Sequence, residues 1–374
     1  LARRAAAAVV GRPAARGDRV RIATLADAAA EHTRRWVQWF RERGHEVRVW
    51  SLEEPRPGLE ISPLPRAPLP GFLRYPLALP ALRVALDRYR PDLVDAHFVP
   101  NYGLLGALAG HRPLVVTAWG SDLLLTGGPD PLRRARVRFV LERADLVLAD
   151  AENLAAAARA LGAPPSRVRT LAWGADLERF APAPDREPGL LVSARMHEPV
   201  YDVESLLRGV LPVLERHPHT RLVVAGDGSL RSRLEREAAR RLPAGRWRFV
   251  GRLGPDELAA LLARAGVYLS ASLSDSTSVS LLEAMAAGAV PVVSDIAGNR
   301  EWVADGEGAR LFARGDAAGI TRAIEAVLGD PAWAAAARAR NRHVVEERAD
   351  RRRNLVAIET LFRELAGAPA GGRP

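Results

Sequence analysis

Short apolar runs alternate with amphipathic helical stretches along this chain, and the whole pattern is written twice. In the first half the runs are Val20–Leu25, Glu46–Trp50, Asp92–His97, Pro113–Ala118, Asp145–Ala149 and Arg167–Trp173. Helical patterns lie between them at His32–Arg43, Leu79–Tyr89, Gly103–Ala109, Leu132–Arg143 and Glu152–Leu161, with Gly44 and Gly162 where helix ends are wanted. The runs are continuous in Val, Leu and Ile, as strands buried on both faces are. Strand–helix alternation of this kind predicts a doubly wound parallel sheet. A polar, proline-rich segment, Ala181–Pro188, then reads as a linker.

After the linker the pattern restarts. Strands are expected at Gly189–Ala194, Thr220–Ala225, Trp247–Val250, Val267–Ser270, Val290–Ser294 and Ala309–Phe312. The helices between them are Asp202–Arg216, Leu230–Arg241, Pro255–Ala265, Val279–Ala287 and Ala317–Leu328, and one last helical region runs Ala332–Leu365. A length of 374 residues agrees with two α/β domains. Ligands of such sheets sit outside the carboxyl ends of the strands, so a cleft between the halves is the expected binding place.

Composition removes several function classes. There is no cysteine, so disulfides and thiolate catalysis are excluded, which fits a reducing compartment. All 54 basic residues are arginine, so a Walker A loop, which needs lysine, is impossible. The basic residues outnumber 44 acidic ones, giving net +10. The sequence pI near 11.0 partly reflects guanidinium groups that do not titrate, so it does not make the chain a nucleic-acid binder. No apolar run reaches membrane-spanning length. The basic, then Ala/Val-rich stretch Leu1–Val10 is too short for a signal peptide and lacks a cleavage pattern. Because it opens on Leu, the natural start is expected upstream.

The densest polar stretch is Ser270–Gly288, where a strand gives way to a small hydroxyl-rich loop and then a helix from about Val279. Free backbone N–H groups and hydroxyls at a helix N-terminus suit an anion such as diphosphate. Asp275 and Glu283 bracket the turn, and a carboxylate beside vicinal hydroxyls is a common way to hold ribose. The plainer alternative is a Ser278 or Ser280 helix cap with solvated carboxylates. Arg195 closes the first strand of the second half, where a guanidinium could clamp a diphosphate bidentately. His97 ends one strand of the first half, and Asp122 follows the next, with a plain reading as a helix cap. Trp36, Trp39 and Phe40 read mainly as core, flanked by arginines whose stems cover apolar surface. Gly226-Asp-Gly228 lacks the third glycine of a dinucleotide fingerprint. His217-Pro-His219 is too short for a metal site, and no Asp-x-Asp occurs, so no metal and no cofactor are expected.

These residues together resemble a retaining glycosyltransferase of family 4 with the GT-B fold. The resemblance runs from about Arg19 to the final helix and rests on several motifs in order. They are Arg43-Gly-His-Glu-Val47, Asp95-Ala-His97-Phe, Trp119-Gly-Ser-Asp122, Trp173–Pro182, Ala225-Gly-Asp-Gly-Ser229, Phe249-Val-Gly-Arg252 and Leu281-Leu-Glu-Ala-Met-Ala286. The resemblance implies that Glu283 holds the nucleotide ribose and that Asp275 contacts the donor sugar. It implies that the backbone of Thr277, Ser278 and Val279 surrounds sugar and phosphate, and that Arg195 takes the diphosphate. Gly251 and Arg252 would border the nucleobase, and His97 would lie near the donor sugar and acceptor.

On this resemblance, residues 1–184 form an acceptor-side domain, 185–345 a nucleotide-sugar domain, and 346–374 a helix crossing back to the first domain plus a tail. The implied donor is a nucleoside-diphosphate sugar, UDP-linked first and GDP-linked next. The acceptor class stays open among glycan, lipid-linked and small-molecule hydroxyls, in a cytoplasmic protein with a peripheral membrane contact left open. A nucleotide-sugar epimerase, a phosphorylase or a non-catalytic binder are the competing readings. Three departures stand out. The lysine expected after Arg195 is absent, with Tyr201 nearest to its place, the first carboxylate is Asp275 where the family pattern has glutamate, and the glycine loop after the first strand is missing.

Overall fold

The computed structural model describes residues 19–66, 69, 73–125 and 130–367. The stretch Leu1–Val10 discussed above lies outside them. The chain divides into two compact units: Leu1–Leu171 together with Leu355–Pro374, and Ala172–Asn354.

In the first unit, β1 (Arg21–Leu25), β2 (Glu46–Ser51), β3 (Ser62–Pro63), β4 (Leu93–His97), β5 (Leu114–Thr117), β6 (Leu146–Ala149) and β7 (Val168–Thr170) form one sheet. Their order is β3-β2-β1-β4-β5-β6-β7, with every pairing parallel. In the second unit, β8 (Glu187–Ala194), β9 (Arg221–Ala225), β10 (Trp247–Gly251), β11 (Ala265–Ser270), β12 (Val290–Ser294) and β13 (Arg310–Phe312) form a parallel sheet of order β10-β9-β8-β11-β12-β13. Strand order reverses between β1 and β4 in one sheet and between β8 and β11 in the other. Those switch points are where a doubly wound sheet opens a crevice at its strand ends.

The apolar runs are buried as their composition requires. Strands β4, β5, β6, β11 and β12 are buried at every position, and helices cover both faces of the second sheet with separate apolar clusters.

The unit boundaries fall elsewhere than the linker pattern suggested. Ala172, Ala175 and Phe180 are buried in the second unit's core, and Ala175 pairs with Asp350. The break therefore precedes the prolines, and Pro188 is already part of β8. The last helical region is two helices, Pro331–Arg348 and Arg351–Gly367, with Val345 and Ala349 packed in the second unit and Leu355 onward grouped with the first. No helix among the described residues is long and apolar enough to cross a membrane.

The C-terminal helix is tied to the first unit by a buried ion cluster. Glu359 accepts from Arg43 Nε at 2.9 Å, meets His45 Nε2 at 3.0 Å and pairs with Arg363 at 2.6 Å. Val20 donates its N–H to His45 Nδ1, so the imidazole proton sits on Nε2 and is donated to Glu359. Phe362 stacks on Phe40 at 5.2 Å beside this cluster. Burial pushes the Glu359 carboxyl up, but its bonds with His45 and Arg43 and the charge of Arg363 outweigh that and hold it below its ordinary 4.5. A depressed carboxylate stabilises the fold above the unfolded-state value and loses that contribution as pH falls through the native one. Glu359→Gln is therefore expected to cost about 2 kcal/mol at neutral pH. The difference from the parent should shrink as pH falls below about 4.5. Thermal unfolding of both proteins across pH 3–7 checks this.

Candidate functional site

Arg195 leaves the carboxyl end of β8, and the hydroxyl-rich loop 271–278 leaves the neighbouring β11 at the switch point of the second sheet. The two meet. Arg195 Nη1 donates to Ser278 Oγ at 2.5 Å and Ser280 Oγ at 3.1 Å, while Nη2 donates to Asp275 Oδ2 at 2.6 Å. The Arg195 side chain is 10% exposed and Asp275 18%, so this pair sits mostly out of water. Burial works against the guanidinium charge. The Asp275 carboxylate, with Tyr268 and Tyr201, overcomes it and raises the pKa further above its ordinary value. Arg195 is thus a permanently charged cation in a partly dry pocket.

Tyr201, the residue in the missing lysine's place, packs directly against Arg195. Its ring lies under the guanidinium, 4.3 Å from Arg195 Cζ, so it supports Arg195 by a cation–π contact. Leu273 N–H donates to Val200 O, which ties the hydroxyl loop to the Tyr201 segment. Ser278 is the N-cap of the helix Val279–Ala287, its side chain accepting from Leu281 N–H, and Tyr268 OH meets Ser280 Oγ at 2.7 Å. The serine-cap reading and the anion-site reading therefore describe the same residues.

Thr277 Oγ1 accepts from Trp302 Nε1 at 3.2 Å. Glu283 lies on the second turn of the same helix and is 6% exposed, so it is not the solvated carboxylate of the plainer reading. The loop is pressed onto Gly298, where a Cβ would stand 1.9 Å from Ser276 O and 2.6 Å from Asp275 O. Only glycine allows that approach. Gly251 ends the edge strand β10 in a left-handed conformation, its carbonyl accepting from Gly226 N–H, and Arg252 beside it is exposed. These two stand two strands from β8 and outside the Arg195 cluster.

The first unit carries a second cluster at its own switch point. His97, the last residue of β4, is 2% exposed, and its Nε2 lies 3.0 Å from Asp95 Oδ2. Asp95 also accepts from Trp36 Nε1 at 2.9 Å and Thr117 Oγ1 at 2.8 Å. Trp36 and Trp119 each approach the imidazole with centroids 5.4 Å away. Asp122, read as a helix cap, is fully buried at the start of the helix Ser121–Leu124 and accepts from Val99 N–H and Trp119 N–H. Burial pushes its carboxyl up to about 6 against those bonds.

Sequence reasoning named His97, Arg195, Asp275 and Ser278 as site residues; it met Asp95 only within a motif, Ser280 only as a cap and Trp36 only as core, and it missed Thr117 and Tyr268. One signal was present for Asp95: two polar residues at alternate positions of an apolar strand share a face. The chain also holds His197 fully buried, edge-on to Phe249, with neither ring nitrogen hydrogen-bonded among the described residues.

Comparison with known proteins adds two family models, one described as glycosyltransferase family 4 over residues 29–179 and one as glycosyl transferases group 1 over residues 187–330. Glycogen synthase of Mycobacterium tuberculosis is 40% identical over 125 residues, which are 33% of this chain and 30% of that protein. The match thus spans under a third of glycogen synthase. Phosphatidyl-myo-inositol mannosyltransferase of Mycolicibacterium smegmatis is 28% identical over 324 residues, 80% of each chain. D-inositol 3-phosphate glycosyltransferase of Kribbella flavida is 30% identical over 307 residues, 74% of this chain and 71% of that one. Among solved structures, sucrose-phosphate synthase of Thermosynechococcus elongatus superposes with a TM-score of 0.80 at 20% identity, covering 93% of this chain and 99% of that one. Anabaena HepE, solved in complex with UDP and glucose, superposes with a TM-score of 0.78 at 15% identity, covering 92% and 100%.

Proposed function

This chain belongs to the GT-B glycosyltransferases of family 4, and we propose that it transfers a sugar from a nucleoside diphosphate, UDP first and GDP next, to an acceptor hydroxyl with retention of anomeric configuration. The observation that carries the proposal is the Arg195 cluster at the N-terminus of the helix Val279–Ala287, with Glu283 one turn along the same helix.

A diphosphate offers Arg195 a stronger partner than Asp275, because it presents more charge and a geometry suited to the guanidinium fork. The exchange frees the Asp275 carboxylate for hydroxyls of the donor sugar. Ser278 and the first N–H groups of the helix add donors to the phosphate oxygens, and Glu283 takes the ribose hydroxyls. As the glycosidic bond breaks, negative charge grows on the leaving phosphate, and the fixed cation and helix end stabilise it. In same-face attack the leaving phosphate oxygen takes the acceptor proton, so the mechanism needs no separate base. His97 of the first unit offers a hydrogen-bonding group for a sugar hydroxyl. The complex of HepE with UDP and glucose supports a UDP-linked donor, and the acceptor remains one of glycan, lipid-linked sugar or small molecule, met in the cytoplasm or at the inner membrane face.

Incubation with UDP- and GDP-sugars and a panel of hydroxyl acceptors tests the proposal. Nucleoside diphosphate should appear only with acceptor, the product should keep the donor's anomeric configuration by proton NMR, and the rate should survive excess EDTA. Release of monosaccharide phosphate, epimerised donor without acceptor, or an inverted product would contradict it.

A further inference from the structure

We propose that Asp95 is a positioning residue that holds His97 in the Nε2–H tautomer, so that Nδ1 is a fixed hydrogen-bond acceptor for a sugar hydroxyl. The identity of the ligand rests on the glycosyl-transfer reading above; the tautomer rests on the first unit alone.

Asp95 and His97 occupy alternate positions of β4 and so share one face of the strand. Asp95 has no exposed surface, and its oxygens are fully engaged. Trp36 Nε1 can only donate, so Oδ2 accepts from it at 2.9 Å, and Oδ1 accepts from Thr117 Oγ1 at 2.8 Å. An ionised carboxylate only accepts, so the 3.0 Å contact from His97 Nε2 requires the proton on that nitrogen. In the neutral ring the lone pair then sits on Nδ1. That atom is buried and has no hydrogen-bond partner among the described residues. Unmatched buried polar atoms are uncommon and ask for an explanation.

The surroundings fix the ring instead of letting it turn to satisfy itself. Trp36 approaches it edge-on and Trp119 at a tilt. The next residue, Phe98, holds φ at 69°, a left-handed value that strains a bulky residue, and opens a π-helical turn, Phe98–Gly103. Asp122 pins that turn by accepting from Val99 N–H. Wide helical turns and strained backbone of this kind gather at functional sites. A fixed lone pair selects its ligand by chemistry. It attracts a hydroxyl hydrogen and repels the acceptor-only oxygens of a phosphate, so the complement of Nδ1 is a hydroxyl of the sugar.

The test starts with the full chain labelled with ring-15N histidine. The sequence holds 8 histidines, and the His97 signals are those lost in His97→Asn. Long-range proton–nitrogen correlations at pH 7.5 should show a protonated Nε2 and a bare Nδ1. In Asp95→Ala the ring should populate both tautomers. The kcat for transfer should then fall about 10²-fold, as when a carboxylate no longer orients its imidazole, with donor KM changed less than about threefold. A wild-type His97 protonated on Nδ1, or on both nitrogens, would overturn the proposal, and so would a folded Asp95→Ala protein with unchanged kcat. If Asp95→Ala does not fold, the wild-type spectrum still decides. The spectrum needs no turnover, so failure to transfer any nucleotide-linked sugar would count against the functional reading and not against the tautomer.

Discussion

Replacing Arg195 with alanine is expected to lower kcat for glycosyl transfer by about 10³-fold, the loss that follows when one preorganised donor to developing negative charge is removed from a site poor in water. The side chain is mostly buried, permanently charged and aimed by three partners, so its orientation is set before any ligand arrives. Arg195→Lys keeps the charge but not the fork that reaches Asp275 and the two serines together, and it should recover little of the loss. Folding should suffer by only about 1–2 kcal/mol, because Asp275, on losing the guanidinium, retains some exposure and the N–H of Ser276. Melting temperature and kcat, read on the same preparation, separate the two effects. A variant that turns over within threefold of the parent would remove Arg195 from the chemistry.

Glu283→Ala should show the second largest effect, a fall of about 10²–10³-fold in kcat/KM for the donor, equivalent to losing two charge-assisted hydrogen bonds to the ribose. Most of it should appear in donor KM, because ribose contacts exist equally before and during bond breaking. A paired measurement sharpens the assignment. Donors lacking a ribose hydroxyl should be poor substrates for the parent and lose little more with the variant, which is the non-additivity that two groups in contact must show. Full additivity would place Glu283 away from the ribose.

The placement of Arg195 was legible because strand composition located the carboxyl end of β8, and a doubly wound sheet puts its ligands at such ends. The loop 271–278 was legible for the same reason, since a strand, a small polar turn and a capped helix follow one another within a short stretch. What escaped reading depends on contacts between distant residues. Trp36 and Asp95 are 59 positions apart, and nothing local to either says that an indole N–H will meet a carboxylate. Trp36 was read as core, which its burial bears out, yet its one polar atom is engaged with Asp95. The stacking of Tyr201 on Arg195 also escaped, because nothing local to either residue says that this ring will lie 4.3 Å from the guanidinium. The break between the last two helices, at Ala349 and Asp350, lies in a stretch of good helix formers. There the pairing of Ala175 with Asp350 overrides local preference.

The unit boundary at Leu171 follows the same logic. Proline marks where a chain bends easily, but burial of Ala172, Ala175 and Phe180 decides to which core the segment belongs. The surplus of arginine is likewise distributed over many exposed ion pairs, each worth little, and one guanidinium at a strand end carries the functional argument.

Calorimetric titration of UDP and GDP into the full chain, beside the Arg195→Ala protein, tests the central claim most directly. Saturable binding of one diphosphate to the parent, weakened at least about 10²-fold in the variant, is the expected result. No binding of either diphosphate to the parent, or equal binding to both proteins, would contradict it.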